Sequence, residues 1–81
     1  MKIFVKFFAS AREAVGSDNV QVAVKEGATA NDVLELFGSQ FETMNRLRPY
    51  VRVAVNQSYV VNDHVLHEGD EVAIIPPVSG G

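Results

Sequence analysis

The residues best placed to do chemistry in this chain are its last two, Gly80 and Gly81, which carry no side chains. Glycine adopts backbone conformations closed to other residues and lets the main chain pass close to a partner. A Gly-Gly end therefore reads as a handle for chemistry on the terminal carboxyl group itself. The same residues also fit a frayed, unused end or an expression remnant. What precedes them favours the handle: Ile74-Ile75 has a buried-strand pattern, Pro76-Pro77 is a stiff pair, and Val78-Ser79 is a short spacer. With no cysteine in the chain, there is no disulfide framework, no thiolate nucleophile, no thiolate metal site and no persulfide. Covalent chemistry is left to oxygen, nitrogen or the termini.

Other candidate groups are weaker. His64 and His67, with Asp63, Glu68 and Asp70 nearby, could be drawn as a metal cluster. Their spacing falls in a turn region with no helix to align the imidazoles, so no metal site is expected. Glu13, Glu35 and Glu42 read as solvated helix positions. No Ser-His-Asp arrangement or phosphate-cradling glycine loop can be read from the spacing, and the chain is expected to lack catalytic apparatus of its own.

The elements that must position the tail are small in number. A chain of 81 residues is one domain that buries only roughly 60% of its unfolded surface, so its core must be compact and regular. The net charge is −3, and the seven basic residues are scattered apart from Arg46, Arg48 and Arg52. Nucleic acid is not an expected partner. Met1 is followed by Lys2 and a short apolar run broken by Lys6, with no long hydrophobic segment, so the expectation is a soluble, cytoplasmic protein with no membrane partner.

Residues 2–8 alternate, with Ile3, Val5 and Phe7 on one face and Lys2, Phe4, Lys6 and Phe8 on the other, as a half-buried strand does. Ser10 and Glu13 have capping-box spacing and Gly16 is placed to stop the turn, which predicts a short helix. Residues 20–24 alternate again and should pair with the first strand as a hairpin whose loop holds that helix. Thr29 precedes Asp32 by a capping-box interval, and Val33, Leu34, Phe37 and Phe41 recur at helical spacing, marking the main helix. Residues 38–49 are weakly patterned, with Phe41, Met44 and Leu47 at three-residue intervals and Pro49 as a terminator; they read as a variable connection. Strands are expected over 51–55, 59–61 and 71–75, bounded by turns at Asn56-Gln57-Ser58 and His67-Glu68-Gly69-Asp70. The predicted class is α+β, a β-grasp or ubiquitin-like mixed sheet with one main helix on one face, the last strand central. The domain is expected over 1–75 and a flexible Gly-Gly tail over 76–81.

Four stretches carry a family resemblance: Phe7-Phe8-Ala9 followed by Arg12-Glu13, then Ala54-Val55-Asn56-Gln57, Gly69-Asp70-Glu71-Val72, and Pro76-Pro77-Val78-Ser79-Gly80-Gly81. On these the chain resembles the small, sulfur-carrier subunits of molybdopterin synthase, the MoaD family, over essentially its whole length. Residues 38–49 match nothing in that pattern. Thiamin-pathway sulfur carriers share the fold and the Gly-Gly end but look shorter and lack the proline pair.

The resemblance implies a reaction sequence at Gly81. A carboxylate is a poor electrophile, so an ATP-dependent, E1-like activating enzyme would convert Gly81 to an acyl adenylate, and sulfur would replace the adenylate to give a thiocarboxylate. In the synthase this group would pass sulfur to a cyclic pyranopterin precursor, building the dithiolene of molybdopterin. The chain would be a cosubstrate that binds no cofactor, with ATP used by the activating enzyme and catalytic residues in the large subunit. A heterotetramer of two large and two small subunits is implied as well. Val78 to Gly81 spans at most about 14 Å when extended, enough to thread a channel. Pro76 and Pro77 end sheet pairing and aim the tail outward; they equally fit a plain edge-strand stop. The strand phases turn Phe8 and Ile75 away from the helix, with Tyr59 beside them, as an apolar face next to the tail. By resemblance these three are partner contacts and Arg12 is a rim contact; the alternative is that they pack on residues 38–49. A different class, a ubiquitin-like modifier or plain interaction module, shares the Gly-Gly end and stays open.

Overall fold

The structure, a computed structural model, describes residues 1–77. The elements follow in the order β1 (Lys2–Phe7), α1 (Ala9–Val15), β2 (Asn19–Ala23), α2 (Ala30–Gln40), α3 (Glu42–Leu47), a 3-10 turn (Arg48–Tyr50), β3 (Arg52–Val55), β4 (Ser58–Val60) and β5 (Glu71–Ile75). The five strands form one mixed sheet in the order β2-β1-β5-β3-β4. Strand β1 is antiparallel to β2 and parallel to β5, and β3 is antiparallel to both β4 and β5. This is the expected β-grasp architecture, with the last strand in the centre.

Alternation along each strand sorts the two faces. Ile3, Val5, Phe7, Val53, Val55, Val72 and Ile74 are buried on one side. They share a single core with Val33, Leu34 and Phe37 of α2 and with Met44 of α3. The Phe7 and Phe37 rings meet edge to face, centroids 4.9 Å apart, the geometry that aromatic quadrupoles prefer. Helix α2 begins as its sequence specifies: the Thr29 hydroxyl accepts from the Asp32 N–H, and the Asp32 carboxylate accepts from the Thr29 N–H. Two orphan amides are thereby satisfied.

Two expectations need correction. Ser10 does not cap α1. The Phe8 carbonyl accepts from the N–H groups of Ala11 and Arg12, so the helix opens at Phe8, without a side-chain cap, and Ser10 falls inside the first turn. The stop at Gly16 is as read, with φ 82° and its N–H donating to the Arg12 carbonyl.

Residues 38–49 are not a loose connection. Helix α2 runs on to Gln40, the chain turns at Phe41 (φ −130°, ψ 113°), and α3 delivers Met44 to the core at 0% exposure. A helix of six residues is too short to display a two-turn stripe, which is why its pattern reads weakly. Pro49 stands where α3 ends, as expected: the helix stops at Leu47 with Arg48 as its C-cap. The chain continues as a 3-10 turn with Pro49 in its first positions, where the missing N–H costs nothing.

The last strand ends at Ile75; after it Pro76 is buried and Pro77 exposed. Other strand ends shift slightly: β1 stops at Phe7, although the Phe8 N–H still donates to the Ile74 carbonyl at 3.3 Å.

Candidate functional site

On the face of the sheet opposite the core, strand register sets a shallow groove beside the end of β5. Its centre is made of small residues. Ala73 pairs with Ala54, and Ala54 with Tyr59, so two methyl groups lie between larger neighbours. Phe8, Tyr59 and Ile75 line this groove together with Lys6, Gln57 and Glu71. Phe8 is 46% and Tyr59 59% exposed, while Ile75 is half-buried. The expected juxtaposition of Phe8, Tyr59 and Ile75 is therefore present, and Tyr59 is turned away from residues 38–49.

Charged side chains frame the groove. The Lys6 ammonium meets the Glu71 carboxylate at 2.9 Å, and the Arg52 guanidinium lies 4.2 Å from the centre of the Tyr59 ring. Exposed pairs of this kind add little stability, about 0 to 1 kcal/mol. They hold the aromatic wall in place and leave an apolar strip flanked by polar groups, the usual anatomy of a protein docking face.

A second concavity shares Phe8 and Ile75 and continues over Ala9, Ser10, Glu13, Pro76 and Pro77. The prolines thus leave the body along an apolar trough between the end of β5 and α1. Arg12 is exposed on α1 but lines neither concavity; Glu13 does. Val78, Ser79, Gly80 and Gly81, the remaining expected tail residues, lie outside the described residues.

The start of β5 is fixed by a polar clasp that joins two of the motif stretches. Asn56 and Gln57 both have positive φ, 50° and 73°, the conformation of a two-residue hairpin turn. From there the Asn56 carboxamide donates to Asp70 Oδ1 at 2.9 Å and accepts from the Glu71 N–H at 3.0 Å. Asp70 Oδ2 accepts from the His67 N–H at 2.8 Å. The acidic turn before β5 is accordingly a structural joint. Among the described residues no group of three or more His, Cys, Asp and Glu is placed to hold a metal ion, and no helix is long and apolar enough to cross a membrane.

Sequence reasoning missed Ala54, Ala73 and Gln57 as groove residues. Alternation assigns Ala73 to the face of Ile75, but only the β3–β5 register brings Ala54 beside it. A pair of small residues in adjacent strands carries no signal until the pairing is known.

Comparison with known proteins places these features in a family. The ThiS family matches residues 5–81. The molybdopterin synthase sulfur carrier subunit of Drosophila erecta is 43% identical over 84 residues, spanning 100% of this chain and 92% of that protein. Its counterpart in Chlamydomonas reinhardtii is 36% identical over 83 residues, covering 100% of both chains. Among solved structures, the small archaeal modifier protein 1 of Haloferax volcanii superposes with a TM-score of 0.82 at 27% identity, over 95% of this chain and 98% of that one.

Proposed function

The chain belongs to the ThiS family, and from that premise we propose that it is the sulfur carrier subunit of a molybdopterin synthase. The observation that carries this is end-to-end similarity to sulfur carrier subunits, reaching through Gly81, in a domain whose central strand leads into the Gly-Gly residues. The Gly81 carboxylate attacks the α-phosphorus of ATP in the activating enzyme and releases pyrophosphate. Hydrosulfide then attacks the acyl carbon of the adenylate, AMP leaves, and a thiocarboxylate remains. In the synthase the thiocarboxylate sulfur attacks a side-chain carbon of the cyclic pyranopterin precursor and the oxygen substituent on that carbon leaves. Water then hydrolyses the resulting thioester, leaving a thiolate on the pterin and returning the Gly81 carboxylate, and a second loaded chain supplies the other dithiolene sulfur.

The domain's share of this work is positioning. Phe8, Tyr59 and Ile75 dock the body against the large subunit and the activating enzyme, and Pro76 is anchored by burial at the end of β5. From Pro77 the last four residues extend at most about 14 Å. Two glycines let both active sites approach the reacting carbonyl without a Cβ in the way. The protein works in the cytoplasm, uses ATP only through its activating enzyme, and binds no cofactor itself.

Similarity to the archaeal modifier supports a second reading, in which activated Gly81 is joined to lysine side chains. Intact-mass analysis after coexpression with sulfur-loading and activating enzymes separates the two. A species heavier by one oxygen-to-sulfur exchange, localised to the terminal peptide, is expected for the carrier. Gly-Gly branches on target lysines, with no such species, would replace the carrier by the modifier.

A further inference from the structure

Away from the groove, a polar pocket is lined by Asn31, Leu34, Asn45, Arg48, Pro49 and Asn62. It holds one guanidinium and three carboxamides and no acidic side chain. Arg48 is half-buried, and among the described residues no carboxylate lies within ion-pair distance of it; the ion pairs found are Lys6–Glu71 and Arg46–Glu42. Among the described residues its one side-chain hydrogen-bond partner is the Asn31 carboxamide oxygen, at a long 3.5 Å. In a chain of net charge −3, a half-buried guanidinium with no carboxylate in ion-pair distance among the described residues has donors to offer an incoming anion.

The guanidinium is also held in place. Gly38 sits in the last turn of α2. A Cβ there would come within 2.9 Å of Arg48 Cδ and 3.2 Å of Asn45 Oδ1. The missing side chain makes a notch for the Arg48 stem and brings Asn45 close. A planar fork of N–H donors fixed in this way suits bidentate binding of a carboxylate, which a lysine cannot reproduce.

The location adds a direction. Arg48 and Pro49 lead into β3, whose first residue, Arg52, pairs with Ile75 at the end of β5. The pocket thus belongs to the end of the sheet from which the tail departs, on the helix side, while the groove lies on the open side.

We propose that the Arg48 pocket, with Asn31, Asn45 and Asn62, is a second docking point that receives a carboxylate side chain of the large synthase subunit. This rests on the sulfur-carrier function proposed above. The pocket gives residues 38–49 a role in recognition as well as in the core, and it supplies register that an apolar groove alone lacks.

The test is binding of the large subunit to the wild-type chain and to Arg48→Gln, Arg48→Lys and Arg46→Gln at low and high salt. Arg48→Gln should weaken the complex about tenfold and flatten its salt dependence. Arg48→Lys should recover only part of the loss, and Arg46→Gln, exposed and paired with Glu42, should bind like wild type, all four unfolding at similar temperatures. Wild-type binding by Arg48→Gln, or equal losses for Arg48→Gln and Arg46→Gln, would overturn the pocket and leave the carrier function standing. If the wild-type chain itself fails to bind, the carrier function fails instead. The pocket is then judged by acetate titration of labelled chain: shifts of the Asn31, Asn45 and Asn62 side-chain amides that vanish in Arg48→Gln support it, and shifts that persist there, or none in wild type, refute it.

Discussion

The Asn56 carboxamide and the Asp70 carboxylate are joined by a 2.9 Å hydrogen bond that spans the turn after β3 and the turn before β5. Asp70 is only 9% exposed. A carboxylate so little solvated depends on its donors, and Asn56 is one of the two side-chain or backbone N–H groups that serve its oxygens.

Asn56→Asp keeps a residue tolerant of positive φ but replaces the donor with a second carboxylate facing the first. Unfolding in urea should show a loss of about 2 kcal/mol or more, the cost of leaving a buried acceptor unpaired beside a like charge. A change within a few tenths of a kcal/mol would mean that the clasp does not hold β5.

Met44→Ala removes a fully buried side chain from α3. The expected cost is about 3 kcal/mol, in the range for truncating a core methionine to alanine. The same substitution in a surface connection would cost under about 0.5 kcal/mol, so thermal or chemical denaturation discriminates sharply between the two.

Docking through the open face is tested by two variants with opposite logic. Phe8→Ala takes away exposed apolar surface and should weaken binding of the large subunit about tenfold, with a stability change under about 1 kcal/mol. Ala73→Glu fills the groove floor and should block binding while the domain stays folded by circular dichroism. Ile75→Ala is less clean, because Ile75 is half-buried and its loss will lower stability along with affinity.

One residue appended after Gly81 moves the reactive carboxyl group away from the Gly-Gly pair. Mass spectrometry of material coexpressed with the sulfur-loading enzymes should show no thiocarboxylate on this variant, while binding of the large subunit stays near the wild-type level. Normal sulfur loading would end the terminal-carboxylate mechanism.

The parts of the fold legible in the sequence are those whose signals are local. Thr29 and Asp32 announce the start of α2 because a capping box is a four-residue event, and the alternation of Ile3, Val5 and Phe7 is complete within β1. Phe8 and Ile75 could be assigned to the outer face from strand phase alone. Two kinds of information were out of reach. Ser10 and Glu13 carried the right spacing, but the Phe8 carbonyl had already opened the helix, a choice made by where β1 ends. Asn56 with Asp70, Ala54 with Ala73, and Gly38 with Arg48 are partners across 14, 19 and 10 positions respectively, which no local pattern links. Turn chemistry pointed to Asn56 and Asp70 separately, and said nothing of their bond.

The central placement of β5 has a mechanical consequence. The strand is bound on one side to β1 in parallel and on the other to β3 antiparallel, so a pull on the chain beyond Pro77 loads two hydrogen-bonded ladders together, in shear. A terminal strand at a sheet edge would be held by one ladder only. Force applied at Pro77 is thus shared between two neighbouring strands before it reaches the rest of the domain.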